Sequence, residues 1–190
     1  HTQRRRQRQM CIRDRGVPYA EEINYLVLHH ARNNFICNLC DTLSGNTLVL
    51  FQLVEKHGKN LYDVMKKFDR KVFFVYGKTD TQTRENIREI TENEKNAIIV
   101  ASYGTFSTGI NIRNLHNIVF SSPSKSRIRV LQSIGRGLRK SETKHSVLIF
   151  DIADDMTFRN QPNFTLNHFT ERLNIYNSEQ FDYEISKVKL

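Results

Sequence analysis

The stretch QSIGRGLRK, residues 132–140, places Arg136, Arg139 and Lys140 around two glycines at the end of the apolar run IRVLQSI. Clustered cations repel one another, so such an arrangement calls for an anion. On a helix, Arg136 and Arg139 stand three apart and share a face, with Gln132 four positions before Arg136 on the same side. That face offers two guanidinium forks and an amide to one small target. Ordinary ion pairing is the competing account, but Glu142 is the only close acidic neighbour. Each glycine also costs a helix up to about 1 kcal/mol relative to alanine, which a purely structural helix avoids. A bound anion explains the segment better.

ASYGTFSTGINIRNL, residues 101–115, supplies hydroxyls and backbone N–H groups suited to phosphate oxygens, although alone it also reads as a plain polar loop. GKT at 77–79 invites a phosphate-loop reading, which requires a glycine at position 72, where Val72 stands. What remains is a tight turn at Gly77 with Lys78 either touching a phosphate or solvated. No acidic box of the Asp-Glu-X-Asp/His kind occurs, so the chain is not expected to hydrolyse a nucleotide by itself. CNLC at 37–40, with His29 and His30 upstream, could form part of a zinc site. One continuous helix there would put His30 and Cys37 about 10 Å apart, too far to share a tetrahedral ion. DIADD at 151–155 reads as a strand end solvated by its acids, and FIC at 35–37 as core.

These residues need elements to hold them. Ile23, Leu26, Val27, Ile36, Leu39 and Leu43 recur at helical spacing and predict one amphipathic helix over 20–43. Short β-rich runs of the buried type follow at 47–53, 71–76, 97–102, 116–122 and 146–152. Between them lie helical patterns: Leu61, Val64, Met65 and Phe68; then Arg84, Ile87 and Ile90; then Ile128, Leu131, Ile134 and Leu138. Alternating apolar strands and helices predict an α/β three-layer sandwich with a mostly parallel sheet, because parallel crossovers need a helix between strands. Ligands of such sheets bind beyond the carboxyl ends of the strands, where the loops at 102–114 and 121–126 fall. A last helix and the alternating run FDYEI, an edge strand or docking piece, close the chain.

The 190 residues suit one domain with a real core, and no apolar run reaches the roughly 18 residues that cross a bilayer, so a soluble chain is expected. Three cysteines cannot build a disulfide framework, which points to a reducing compartment. The formal charge of +9 is uneven: the first fifteen residues, HTQRRRQRQMCIRDR, carry +5 and leave the body only mildly basic. That tail is either a basic arm for phosphate contacts or the remnant of a translated sequencing adapter, and is set aside from fold reasoning.

QSIGRGLRK has the Gln-X-X-Gly-Arg-X-X-Arg form of motif VI of superfamily 2 helicases and stands before the last core strand, where that family carries it. TLVLFQLVEKHG resembles motif IV, YGKTDTQTRENIREI the family's glycine turn and arginine helix, and ASYGTFSTGINI motif V. The wording STGINIRNL and QSIGRGLRK is most similar to the UvsW-type DNA helicases of large tailed phages. The resemblance implies the second RecA-like lobe of a two-lobed motor: a linking helix over 16–44, the RecA-like core over 45–155 and an extension over 156–190. By that resemblance Arg139 is the arginine finger on the transferring phosphoryl, with Arg136 beside it, and Gln132, Gly109 and Asn111 face ATP. Gln52, Lys78, Ser102, Tyr103 and Thr105 would track the nucleic-acid backbone. ATP and Mg²⁺ would be held chiefly by the N-terminal lobe, the partner of this one, and DNA would be the substrate.

Two departures matter. The family usually has Asp where Asn111 stands, and the motif V loop is one residue longer than its commonest form. Lys140 has no role in the pattern. The implied function is ATP-dependent DNA unwinding or branch processing in recombination and repair, in the host cytoplasm if phage-encoded and with no membrane contact. The alternatives are a stand-alone, non-enzymatic nucleic-acid-binding module and, more remotely, a nucleotide-sugar or dinucleotide enzyme, which lacks its Gly-X-Gly-X-X-Gly here.

Overall fold

TLVLF, IIVAS and NIVF are continuous apolar runs, and a strand of that kind is stable only where both faces of the sheet are covered. In the computed structural model, which describes residues 18–107, 112, 114–122 and 146–190, they form the centre of a five-stranded parallel sheet. The elements in chain order are α1 (Tyr19–Val27), α2 (His30–Thr42), β1 (Thr47–Phe51), a π-helical turn (Val54–Gly58) and α3 (Lys59–Met65). After these come β2 (Val72–Val75), α4 (Thr81–Asn93), β3 (Ile98–Ser102), α5 (Tyr103–Ser107), β4 (Asn117–Phe120), β5 (Leu148–Asp151) and α6 (Phe164–Ser178). The strand order is β2-β3-β1-β4-β5. Register runs straight across the centre, with Val49 opposite both Val100 and Val119.

Alternation along the strands divides the core into two layers. Leu48, Leu50, Ile99, Ala101, Ile118 and Phe120 face α4 and α6, where Ile87 and Tyr176 meet them. Val49, Phe51, Ile98, Val100 and Val119 face α2 and α3, packing on Ile36, Cys37, Cys40, Leu61 and Met65. Cys37 and Cys40 thus behave as small apolar residues, and burial pushes the Cys37 thiol up to about 11 and that of Cys40 higher still. The expected sandwich is the observed architecture. No helix among the described residues is long and apolar enough to cross a membrane.

Three local expectations are corrected. The single helix over 20–43 is two helices: the chain turns at Leu28, and the His29 ring accepts the Arg32 N–H to cap α2 (3.2 Å). Of the acids of DIADD, Asp155 is exposed as expected, but Asp151 and Asp154 are not solvated. Asp151 takes a bidentate fork from Arg172 (2.6 and 3.0 Å) and the Tyr176 hydroxyl (2.6 Å), which docks α6 on the strand end. Asp154 pairs with Arg32 (2.7 Å), whose side chain is 1% exposed. FDYEI is not a strand. Gln180 adopts a left-handed conformation at the end of α6 (φ 57°) and turns the chain back, so that Phe181 N–H bonds Tyr176 O and the Tyr183 ring lies tilted against that of Tyr176.

Glu22 joins the two ends of the described chain. Its carboxylate accepts the N–H groups of Phe164 and Thr165, the Thr165 hydroxyl and the Asn163 amide, capping the N-terminus of α6 from α1.

Candidate functional site

Parallel pairing brings every strand's carboxyl end to one edge of the sheet, and the in-register pairs Phe51–Ser102, Leu50–Phe120 and Val75–Ala101 set those ends side by side. The order β2-β3-β1-β4-β5 makes the chain leave β1 toward one side and return past it to the other, so the crevice opens at the ends of β1, β3 and β4. Gln52 leaves β1 with its side chain exposed, while its backbone N–H donates to Ser122 Oγ (3.0 Å). Lys78 is exposed in a turn that Thr79 closes on Tyr76. Arg84 of α4 braces this turn by donating to Gly77 O (3.1 Å). Ser102 is half-buried and shares a hydrogen bond with Thr105 Oγ1 (2.7 Å).

Tyr103 and Thr105 face inward: they are 5% and 3% exposed, and the Tyr103 hydroxyl donates to Ser122 O (3.2 Å). Of the five residues read from sequence as tracking a nucleic-acid backbone, Gln52, Lys78 and Ser102 therefore present side chains at this edge, whereas Tyr103 and Thr105 support it from below. Gly109, Asn111, Gln132, Arg136, Arg139 and Lys140 lie outside the described residues.

The structure adds residues that motif reading passed over. Ser121 and Ser122, which lead into residues 123–145, are held from several directions. Ser121 N–H and Oγ both donate to Leu50 O, and its carbonyl accepts Arg32 Nη1 (2.8 Å). Ser122 Oγ lies 2.9 Å from His57 Nδ1, and His57 is fully buried. His57 points inward because the π-helical turn, closed by the His57 and Gly58 N–H groups on Leu53 O, inserts an extra residue into the helix start. Gly58 permits that turn, since a Cβ there would meet the Phe51 ring at 2.5 Å. No local periodicity announces these contacts; the one sequence sign is a glycine beside a histidine within an otherwise helical pattern. Among the described residues no cluster of His, Cys, Asp or Glu is placed to hold a metal ion.

The profile of the helicase conserved C-terminal domain matches residues 31–141, more than half of the chain. The chain belongs to the helicase conserved C-terminal domain family. As a helicase C-terminal domain it is 38% identical over 189 residues to the ATP-dependent DNA helicase uvsW of Enterobacteria phage T4, covering 93% of this chain and 38% of that protein. It is also 29% identical over 108 residues to the putative ATP-dependent helicase IRC3 of Saccharomyces cerevisiae, covering 57% of this chain and 16% of that one. The crystal structure of T4 UvsW superposes with a TM-score of 0.78 at 36% identity, over 96% of this chain and 39% of that one. The C-terminal domain of the DEAD-box protein Dbp5 shares the fold, with a TM-score of 0.58 at 13% identity over 80% of this chain and 82% of that one. The helicase domain thus spans less than two fifths of the phage relative's length.

Proposed function

We propose that this chain is the C-terminal RecA-like lobe of an ATP-dependent DNA helicase or translocase, with its core over 45–155, a linking segment over 16–44 and an extension over 156–190. The observation that carries the reading is the family match over 31–141, which includes QSIGRGLRK, joined to 38% identity with a phage ATP-dependent DNA helicase. Arg139 is then the arginine finger and Arg136 its neighbour, with Gln132, Gly109 and Asn111 toward the nucleotide. Two guanidinium groups and an amide form a donor set that fits the oxygens of a triphosphate. ATP supplies the phosphoryl transfer, and such a finger raises its rate by roughly 10³–10⁵-fold by stabilising charge on the transferring group.

Magnesium belongs to the partner lobe in this reading, because the carboxylates at the end of β5 are engaged by Arg172 and Arg32. Gln52, Lys78 and Ser102 contact DNA phosphates directly, and Tyr103 and Thr105 act by holding the loop that carries Ser102. Contacts to phosphates make binding insensitive to sequence and sensitive to salt. The substrate is single-stranded or branched DNA in recombination and repair, and the compartment is the cytoplasm, that of the host if the chain is phage-encoded.

The reading predicts that residues 1–190 alone turn over no ATP above background, since half of the nucleotide site is supplied elsewhere. A steady-state phosphate-release assay on the purified chain checks this, and robust turnover would contradict it.

A further inference from the structure

Ser122 is the meeting point of a directional chain of hydrogen bonds. Asn33 Nδ2 donates to Val27 O at the end of α1 (2.9 Å), which fixes the amide so that Oδ1 faces His57 Nε2 (3.2 Å). An amide oxygen only accepts, so Nε2 carries the ring proton and Nδ1 accepts from the Ser122 hydroxyl (2.9 Å); this tautomer is assigned from the network. Ser122 Oγ in turn accepts the Gln52 N–H (3.0 Å), and Ser122 O accepts the Tyr103 hydroxyl (3.2 Å). His57 and Ser122 are 0% and 1% exposed, so the chain runs through a low-dielectric interior where each bond polarises the next. Lys56, next to His57 on the π-helical turn, reaches Asn24 Oδ1 of α1 (2.9 Å), a second tie between the same two elements.

The arrangement joins three described parts of the chain. One end is α1, in the linking segment. The other is Gln52 and Tyr103 at the edge assigned to DNA, and the node itself is the residue from which the segment bearing Gln132, Arg136 and Arg139 departs. A change at Gln52 that shifts its main chain must break or move the Ser122 hydroxyl, and with it the origin of that segment.

We propose that His57 and Ser122 are positioning residues that couple DNA contact at the β1 and β3 ends to the nucleotide-facing arginines. They touch neither ligand; both are buried, and they hold the end of β4 from which residues 123–145 depart. The inference rests on the helicase reading above and adds to it the residues that transmit between its two sites.

The test uses the full-length protein carrying this segment, with ATP turnover measured in the absence and presence of a single-stranded DNA oligonucleotide, and oligonucleotide affinity measured separately. Ser122→Ala and His57→Leu should lower the DNA-stimulated increment about tenfold, the scale of an ordinary coupling energy. Unstimulated turnover and oligonucleotide affinity should stay within about twofold of the parent. His57→Asn, which keeps an acceptor toward Ser122, should recover much of the stimulation. Ser122→Ala removes one oxygen and leaves the main chain intact, so it decides the matter even where His57→Leu fails to fold. Full stimulation in Ser122→Ala, or equal loss of unstimulated and stimulated turnover, would overturn the proposal. Absence of ATP turnover in the unsubstituted protein contradicts the helicase reading itself, and the coupling role with it.

Discussion

The two ends of the central sheet are built from different chemistry. At the amino ends of the strands, buried Asn46 donates to the carbonyls of Thr91, Glu94 and Asn114 and accepts the Ala97 N–H. Arg70 closes the same end on the carbonyls of Cys40, Leu43, Gly45 and Asn96. Gly45, with φ 89°, lets the chain pass against His116, whose ring accepts the Asn46 N–H. Every one of these side chains is anchored to main chain, and the result is a fixed floor. At the carboxyl ends, Arg32, Ser121 and Tyr103 also reach main-chain carbonyls, but side chains hold one another as well: Arg32 with Asp154, Arg172 with Asp151, and His57 with Ser122 and Asn33. Arg32 Nη2 and Asp154 Oδ2 find no partner among the described residues. A floor satisfied by main chain has one arrangement, whereas a network of charged and hydroxylic side chains can have more than one.

The contrast can be broken at several points. The largest effect on stability is expected at Arg32→Met, which leaves Asp154, 11% exposed, buried without its cation, at a cost of about 3–5 kcal/mol. In urea denaturation the double variant Arg32→Met with Asp154→Leu should recover the part of that loss that lies in the orphaned charge, leaving only the Ser121 carbonyl without its Arg32 donor. Next is Asn46→Ala, which strips a donor from buried carbonyls and an acceptor from the Ala97 N–H, for about 2–3 kcal/mol by the same measurement. Removing the Asn46 partners one by one should not restore stability, since main-chain groups stay behind.

The smallest effect belongs to Asp80, outside both networks. Its carboxylate caps α4 through the Thr83 N–H and hydroxyl, and these bonds hold its pKa below the ordinary value. A folded pKa below the unfolded one gives stability that is complete above the ordinary carboxylate range and is lost as pH falls through the depressed value. Asp80→Ala should therefore lower the urea midpoint slightly at neutral pH and match the parent in acid.

Much of this fold is legible in sequence because its central strands are short continuous apolar runs with helices between them. TLVLF, IIVAS and NIVF could be little else, and the corresponding strands lie within the predicted limits. Expectations failed where a contact joins residues remote in sequence. The acids of DIADD look solvated locally, yet Asp154 meets Arg32 from 122 positions away. The apolar alternation of FDYEI carries a strand pattern, but the left-handed turn at Gln180 directs it along α6 instead. Val64 and Ile90 fit their helical stripes and yet are 39% exposed, while Thr91 takes the inward position beside Ile87. At the candidate site, the resemblance named Gln52, Lys78 and Ser102, and all three stand at the carboxyl edge because a residue just after a parallel strand has nowhere else to go. It could not separate them from Tyr103 and Thr105, whose hydroxyls are turned into the protein by a five-residue helix.

If QSIGRGLRK serves a nucleotide held by another lobe while the strand ends serve DNA, one substitution should separate the two functions. Arg139→Ala in the full-length protein tests it directly, with ATP turnover and oligonucleotide affinity measured on the same preparation. Turnover should fall by about 10³-fold or more with affinity nearly unchanged. Collapse of DNA binding with turnover preserved would contradict it.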